Sequence, residues 1–548
     1  MKTIDGYPEY MMKSIKKVEK NRKKNMSHPV KPMSMKEREE MLKNYHPDYM
    51  EDTKRKIKIG VDKGNIFYNG IADLLEAKSV LNPKDIDLSK IDYDVDLLIV
   101  GGGGAGTVAA LFAYENGIKK EKMLIVTKLR HGDANSMMAQ GGIQAADRPE
   151  DSPALHYLDI YGGGHFTNKP ELAQALALDA PKIINWHQEL GVMYDRQEDG
   201  EFQELSGGGT CRNRMHSCKD YSGMELLRNI RDKSRNLEIP VLEFCPIIEF
   251  LMDDKGQVAG GIAYNLETYE YYVIRAKATI LATGGSGRLH LSNYPTTNHY
   301  GATGDGLVMA YHVGANLLDL DTIQIHPTGD AFPEPIVGIL STEKIRGLGA
   351  IPVNKDGDPF VFPLEPRDVE SASLINECKK GKGIVTPTGM PGVWLDSPMI
   401  DIKHGEGTVA TKLAGEVRKF KRFGIDMAKQ PILVYPTLHY QNGGVEINEK
   451  CETKIPGLFA AGEVTGGVHG KNRLMGNSLL DYNVFGRRAG IFAAKYVKKV
   501  KIGKLSLKHI DKYNKMVEKA NIKQKKVAPI ILPEYRGEMA ISRALDIL

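Results

Sequence analysis

The pattern of apolar and polar positions changes character along the 548 residues. Up to about residue 92 the chain is polar and rich in Lys, with scattered Pro, Asn and Asp and weak helical periodicity, which predicts an appended N-terminal arm. At 93 the apolar run "YDVDLLIV" leads into "GGGGAG" and then the Ala-rich "TVAALFAYENG", a strand, a glycine turn and a helix. "KMLIVTK" at 122–128 reads as a second strand, and "KATILATGGSGR" at 277–288 repeats the strand-into-glycine pattern. Strands alternating with helices predict a parallel, doubly wound sheet. Between about 326 and 435 that rhythm stops and Pro, Gly and Asp accumulate, the mark of an inserted domain. "GLFAAGE" at 457–463 and the helical run of Leu479, Leu480, Val484 and Phe485 restore it. The expected organisation is an extension over 1–92, a nucleotide-binding domain in two parts over 93–325 and 436–500, an inserted domain over 326–435, and a short helical tail over 501–548.

Composition narrows the class. With 41% hydrophobic and 26% charged residues the chain reads as an ordinary soluble protein of two or three domains. No apolar run approaches the roughly 18 to 20 residues of a membrane span, and "MKTIDGYPEY" carries no apolar signal segment, so the expected setting is cytoplasmic and reducing. The cysteines Cys211, Cys218, Cys245, Cys378 and Cys451 are dispersed and odd in number, which fits free thiols. The net charge of +5 conceals basic ends: residues 1–60 hold sixteen Lys and Arg against nine Asp and Glu, and residues 491–530 hold twelve Lys against two acids. Aromatic residues are not interleaved with them as nucleic-acid recognition would require, so these ends are solvated faces or a docking surface for an acidic electron-transfer partner.

Gly101, Gly103 and Gly106 form a G-x-G-x-x-G between the first strand and the first helix. Bare backbone at a helix N-terminus lets a pyrophosphate approach N–H donors, so the motif predicts a bound dinucleotide. The acidic residue that would hold the ribose of NAD is missing, since the second strand ends in Thr127 and Lys128. A different dinucleotide is required.

These glycine turns, together with "AQGG" at 139–142, "ATGG" at 282–285, "TGDG" at 303–306 and "LFAAGE" at 458–463, occur in the order seen in one family. The stretch from about 93 to 495 resembles the flavoprotein subunit of succinate dehydrogenase and fumarate reductase, a group that also holds L-aspartate oxidase. The resemblance implies an α/β fold: a Rossmann-like FAD-binding domain with a parallel sheet, an inserted α+β capping domain and a short helical C-terminal segment. It implies FAD held by Gly101, Gly103, Gly106, Thr127, Lys128, Ala139, Gln140, Gly141, Gly142, Thr283, Gly284 and Asp305, with Gly462 and Glu463 at the ribityl chain. Asn477, Ser478 and Leu479 would start a helix facing the flavin ring, where a helix N-terminus suits the negative charge of the reduced ring.

The same resemblance implies a substrate site. In "VHGKNRLMGNSL" Arg473 would clamp a substrate carboxylate, which a planar guanidinium can meet in bidentate fashion; otherwise it is a surface ion pair. "QIHPTG" places His326, "STEKIRG" places Thr342, Glu343 and Arg346, "EPRD" places Arg367, and "PTLHYQNGG" places His439. His326, Thr342, His439 and Arg473 would bind a small dicarboxylate. Arg367 would deliver a proton while hydride arrives from flavin N5, and Glu343 with Arg346 would reprotonate it. A buried ion-pair network of the same three residues is the plainer alternative.

Three departures from the family bear on this reading. Counting back four residues from Ala139, where membrane-bound members carry a tethering histidine, reaches Asn135, so the FAD is expected to be non-covalent. The family's "RGEG" is "RGLG", with Leu348 in place of the acid, and Gly207 stands where dicarboxylate reductases carry Phe and aspartate oxidases Glu. No cysteine cluster offers an iron–sulfur site, so electrons would pass through another subunit or a soluble carrier, the expected partner being an iron–sulfur subunit of a soluble complex. Amine oxidation like that of L-aspartate oxidase, or a flavin-bearing electron-transfer subunit with a degenerate pocket, remain alternatives. No metal site is expected.

Overall fold

The apolar run Tyr93–Val100 forms a central strand of an eight-stranded sheet in the computed structural model, which describes residues 6–522 and 527–533. It pairs in parallel with Tyr271–Leu281 on one side and Met123–Val126 on the other, and Val241–Leu242 continues the parallel order beyond. The free edge of Tyr271–Leu281 is shared: Leu458–Ala460 pairs in parallel along its C-terminal half, and Val258–Tyr264 pairs antiparallel along the other half. Ile247–Asp253 and Leu505–Ser506 extend that antiparallel side, so the parallel sheet expected from the sequence is joined to a meander. The parallel strands end together. Gly101, Thr127, Ala282 and Ala461 follow the last residues of four of them, and such an edge is where α/β sheets bind ligands.

Two helices lie close together against this sheet. Gly104–Glu115 and Asn477–Val497 approach through small residues: a Cβ added at Gly486 would stand 2.7 Å from Ala105 O, and one at Gly490 2.3 Å from Ala109 O. Larger side chains would separate the helices and the two glycine-rich turns they carry.

The inserted region forms a five-stranded sheet of Gln324–Asp330, Ile432–Tyr440, Pro391–Leu395, Pro352–Val353 and Ile384–Val385. The expected boundaries at 325/326 and 435/436 fall inside its two longest strands, which pair antiparallel with each other. Its core gathers Phe332, Val353, Trp394, Leu433 and Phe420. Helix Arg367–Lys379 contacts the strands Gln324–Asp330 and Ile432–Tyr440.

The N-terminal region is not the appended arm that the sequence suggests. Helix Glu9–Ser27 buries Met11, Ile15 and Val18 in the core of the inserted domain, and Arg22 pairs with Asp396 at 2.9 Å. Helix Met35–Tyr45, opened by a capping box of Ser34 and Glu37, packs Leu42 against Val369 and Ala372. Beyond it, Asp48 accepts the Ile323 N–H at 3.1 Å, and Ile59 O accepts the Tyr311 hydroxyl at 2.7 Å on the nucleotide-binding domain. The segment is a strap across both domains. Its periodicity is weak because the buried stripe is narrow and lysines fill the remaining faces.

At the other end, helix Lys508–Lys519 buries Ile510, Tyr513 and Val517, and Val527–Ala528 pairs with Lys78–Ser79. The parts of the expected tail at 523–526 and from 534 onward lie outside the described residues. Among the described residues no helix is long and apolar enough to cross a membrane.

Candidate active site

A cavity of about 420 Å³ opens at the edge where the parallel strands end. Gly101, Gly103, Thr127, Lys128, Ala139, Gln140, Thr283, Gly284, Asp305, Gly462, Glu463, Ser478 and Leu479 line it. The close approaches here explain the glycines. Gly101 has φ +118°, and a Cβ on it would lie 2.2 Å from Ala282 O; a Cβ on Gly106 would lie 1.9 Å from Gly101 O. Gly106 therefore holds the turn and does not line the cavity. Gly141 and Gly142 likewise face Met475 and His216, and Asn477 is buried against His156 Nε2 at 3.2 Å. Lys128 is committed to Asp305 at 2.9 Å and to Thr303 Oγ1 at 2.8 Å.

Among the described residues, Gln140 Oε1, Thr283 Oγ1 and the Tyr482 hydroxyl are buried polar atoms without hydrogen-bond partners, and the three residues line the cavity. Glu463 accepts from Gln441 N at 3.1 Å and Asn135 Nδ2 at 3.2 Å, while burial raises its carboxyl above the usual range. Asn135 is fully engaged. Its Nδ2 also donates to Asn298 Oδ1 at 2.7 Å, and its Oδ1 accepts from His299 N at 2.6 Å. His131, the next histidine upstream, is turned away and meets Thr107 Oγ1 at 3.0 Å.

His439 and Tyr440 line one wall of this cavity, and beyond them lies a cluster of buried charged side chains. The His439 ring lies 4.9 Å from that of His326, and the Arg473 guanidinium lies 4.4 Å from the centre of the Tyr440 ring. Arg473 is 2% exposed, and its Nη2 donates to Gln324 Oε1 at 2.7 Å. Arg367, from the first turn of its helix, donates to the same oxygen at 2.9 Å. Two guanidiniums thus converge on one neutral acceptor. Burial, and then Arg367, pull Arg473 down to about 9, and burial also lowers Arg367.

Behind Arg367 the charges alternate. Its Nε donates to Glu343 Oε2 at 2.7 Å, and Arg346 stands 3.5 Å from the same oxygen. Glu343 also accepts the Gly208 N–H at 2.8 Å. Burial opposes ionisation of Glu343, but Arg367 and Arg346 outweigh it and hold the carboxyl down to about 2. His326 Nδ1 accepts the Thr328 N–H at 3.2 Å, which puts the ring proton on Nε2, a buried donor without a partner among the described residues. Burial and then Arg367 press both histidines well below their ordinary range, so they are neutral donors. Thr342 is buried next to Glu343 in the chain, and its hydroxyl accepts Lys344 N at 3.3 Å.

The residues 96–479 match the model of a family described as an FAD binding domain. The chain is 38% identical over 415 residues to a subunit of the fumarate reductase (CoM/CoB) of Methanothermobacter marburgensis, covering 74% of this chain and 73% of that one. The chain belongs to the fumarate reductase and succinate dehydrogenase flavoprotein family. It is also 40% identical over 412 residues to an uncharacterized FAD-dependent oxidoreductase of Methanocaldococcus jannaschii, covering 73% and 72% of the two chains. A mutant form of the E. coli quinol fumarate reductase chain FrdA superposes with a TM-score of 0.69 at 33% identity, covering 78% and 74%.

This flavoprotein is therefore an FAD-dependent oxidoreductase of the class acting on CH–CH bonds. The cavity fits the cofactor: bare glycine backbone at a helix N-terminus suits the pyrophosphate, Glu463 and Gln140 offer partners for hydroxyls, and Ser478 and Leu479 open the helix Asn477–Val497.

At the departures from the family, the flavoprotein fills its gaps differently. Leu348 is buried in the core of the inserted domain. A Cβ on Gly207 would come within 3.3 Å of Met215 Cε and 3.7 Å of Gln144 Nε2, so neighbouring side chains already occupy the space. Sequence reasoning missed Gln324, two residues before His326, and the Gly208 N–H. The first resembles any strand residue until the two arginines meet on it, and a backbone donor has no sequence signal. It also missed Asp147, Glu204 and His216, which meet on a small sheet with Arg148 at 2.9 Å from Glu204. Burial raises Glu204 to about 7 there.

Proposed function

We propose that this flavoprotein interconverts a small unsaturated dicarboxylate and its saturated form, fumarate and succinate being the type. The observation that carries this reading is the meeting of Arg367 and Arg473 on Gln324 Oε1, with Glu343 as their ionised neighbour. Such a pocket holds excess positive charge out of water, and a dicarboxylate neutralises it with planar, bidentate contacts.

When bound, FAD supplies the hydride chemistry. Arg473 clamps one carboxylate, while His326, buried, and His439, half-buried at the cavity wall, are neutral and add hydrogen-bond donors without adding charge. Their donors oppose the negative charge that develops as the double bond polarises. Arg367 gives the proton. Its lowered affinity for that proton makes an arginine a workable acid, and Glu343, ionised between Arg367 and Arg346, carries the replacement from one guanidinium to the other. Asn135, held by three hydrogen bonds, has an amide in place of the tethering histidine, which supports a non-covalent cofactor.

The five cysteines are separate free thiols, which supports an electron partner that brings its own iron–sulfur centre. The decisive experiment reduces the flavoprotein anaerobically and screens enoates for reoxidation. Fumarate is expected to restore the oxidised flavin spectrum. Reoxidation by oxygen with aspartate turnover to hydrogen peroxide, and none by any enoate, overturns the reading.

A further inference from the structure

The proton path traced above stops at Arg346, whose side chain is fully buried. The acid that the family pattern carries two residues later is absent, since Leu348 packs in an apolar core. A different acid has come to Arg346. Glu370, one turn along the helix that begins with Arg367, pairs through Oε2 with Arg346 Nη1, and neither partner is exposed.

Resting on the reading of Arg367 as proton donor, we propose that Glu370 reloads the relay: it hands a proton to Arg346 and recovers one from solvent. Glu370 touches neither substrate nor cofactor and acts only through Arg346.

Four charged groups face it. Arg346 and Glu343 come from the segment around Thr342, Arg367 from its own helix, and Glu365 from the turn before that helix. Glu365 is in turn held by the N-terminal strap, with Arg38 Nε at 2.8 Å and the Met33 N–H at 2.6 Å. Arg38 keeps 27% of its side chain exposed, so through Glu365 this side of the buried network meets a group in contact with solvent. Among the described residues, neither carboxyl oxygen of Glu370 makes a hydrogen bond of good geometry, which leaves one free to carry a proton. Burial outweighs Arg346 and pushes Glu370 up to about 8, while Glu343 on the other side of Arg346 is held down to about 2. At neutral pH Arg346 therefore stands between a neutral acid on its outer side and a carboxylate on its inner side.

The protons balance. Arg367 loses a guanidinium proton to the substrate carbon as the C–H bond forms. Glu343 accepts a proton from Arg346 and passes it to Arg367. Arg346 takes the proton of Glu370, and the Glu370 carboxylate takes one from solvent. One solvent proton is consumed per carbon–hydrogen bond, and the relay returns to its starting charge.

The test compares the wild-type flavoprotein, Glu370→Gln and Glu370→Gln with Leu348→Glu, using fumarate as substrate and reduced methyl viologen as donor. In Glu370→Gln, kcat is expected to fall about 10- to 100-fold while KM and FAD content stay within about 2-fold, because general acids contribute roughly 100- to 10,000-fold and a relay member only part of that. Wild-type kcat should fall as pH rises through about 8, since the acid form is the active one, and this limb should vanish in Glu370→Gln. The added Leu348→Glu should recover part of the loss. A kcat within about 2-fold of wild type, or an unchanged basic limb, overturns the proposal. If Glu370→Gln fails to fold, the wild-type profile decides: a basic limb in KM alone belongs to Arg473 and overturns it. Wild-type protein that turns over no enoate overturns the functional reading and this proposal together, whereas normal wild-type turnover with an indifferent Glu370 removes this proposal alone.

Discussion

Along the edge of the parallel sheet, the cofactor cavity is lined by glycine backbone, small side chains and the buried end of Glu463; across His439 and Tyr440, a charged cluster sets Arg346 and Arg367 around Glu343, with Arg473 beside them on Gln324. The first region is built by short segments, each strand delivering its own turn to a common edge. The second draws on separate stretches around 208, 324, 343, 367, 439 and 473, and the strap from residues 33–38 meets its outer side at Glu365. Backbone shape governs the first and charge balance the second. Substitutions should accordingly fail in different ways: cofactor loss on one side, lost affinity or turnover with the cofactor retained on the other.

The largest expected effect is on the cofactor side. Gly106→Ala puts a methyl group 1.9 Å from Gly101 O, so the purified protein should be colourless, as absorbance at the flavin's visible band will show. A yellow Gly106→Ala protein with full FAD would mean the turn has slack and the cavity is not governed by backbone shape.

Next comes the centre of the charged pocket. Arg367→Lys keeps a positive charge but loses the fork that spans Glu343 and Gln324. Turnover should drop roughly 100- to 10,000-fold with FAD and dicarboxylate affinity nearly unchanged, measured by steady-state kinetics and by titration of the flavin spectrum. Full activity would remove the proton-transfer role.

Arg473→Ala should act mainly on binding. A lost charge-assisted contact of about 1.5 to 3 kcal/mol corresponds to about 10- to 150-fold in affinity. The wild-type protein supplies a milder version of the same experiment. Arg473 binds an anion only as a cation, so succinate affinity should be full below neutrality and weaken as pH rises through about 9. A profile that stays flat well above that pH would assign the carboxylate contact to other groups.

The smallest effect should fall back on the cofactor side. Acid precipitation should release FAD into the supernatant, and Asn135→Ala, which removes hydrogen bonds to Glu463, Asn298 and His299, should weaken FAD binding by about 10-fold without bleaching the protein. Colour retained in the pellet would reveal a covalent bond made elsewhere.

Much of the cofactor site was legible in the sequence because its determinants are local. A strand followed by glycines specifies a turn whose φ and close approaches only glycine tolerates, and Gly101 and Gly106 meet within one short motif. The arginines and histidines of the candidate substrate site also stood out in the sequence, as members of long motifs. Their relations were not. That Arg367 and Arg473 share Gln324 Oε1, that Gly208 N reaches Glu343, and that Glu370 stands against Arg346 are contacts between distant stretches of chain, and no local pattern encodes them. The strap was invisible for a related reason. A helix that buries only a narrow stripe around Met11, Ile15 and Val18 on a partner far along the chain looks polar until the partner is in place. Sequence alone thus determined which chemical groups this flavoprotein carries and how its nucleotide turns are shaped, since backbone sterics act between neighbours. The tertiary structure decided which charges meet and which carboxyl keeps its proton, because electrostatic energies depend on distance and burial that only the folded chain sets.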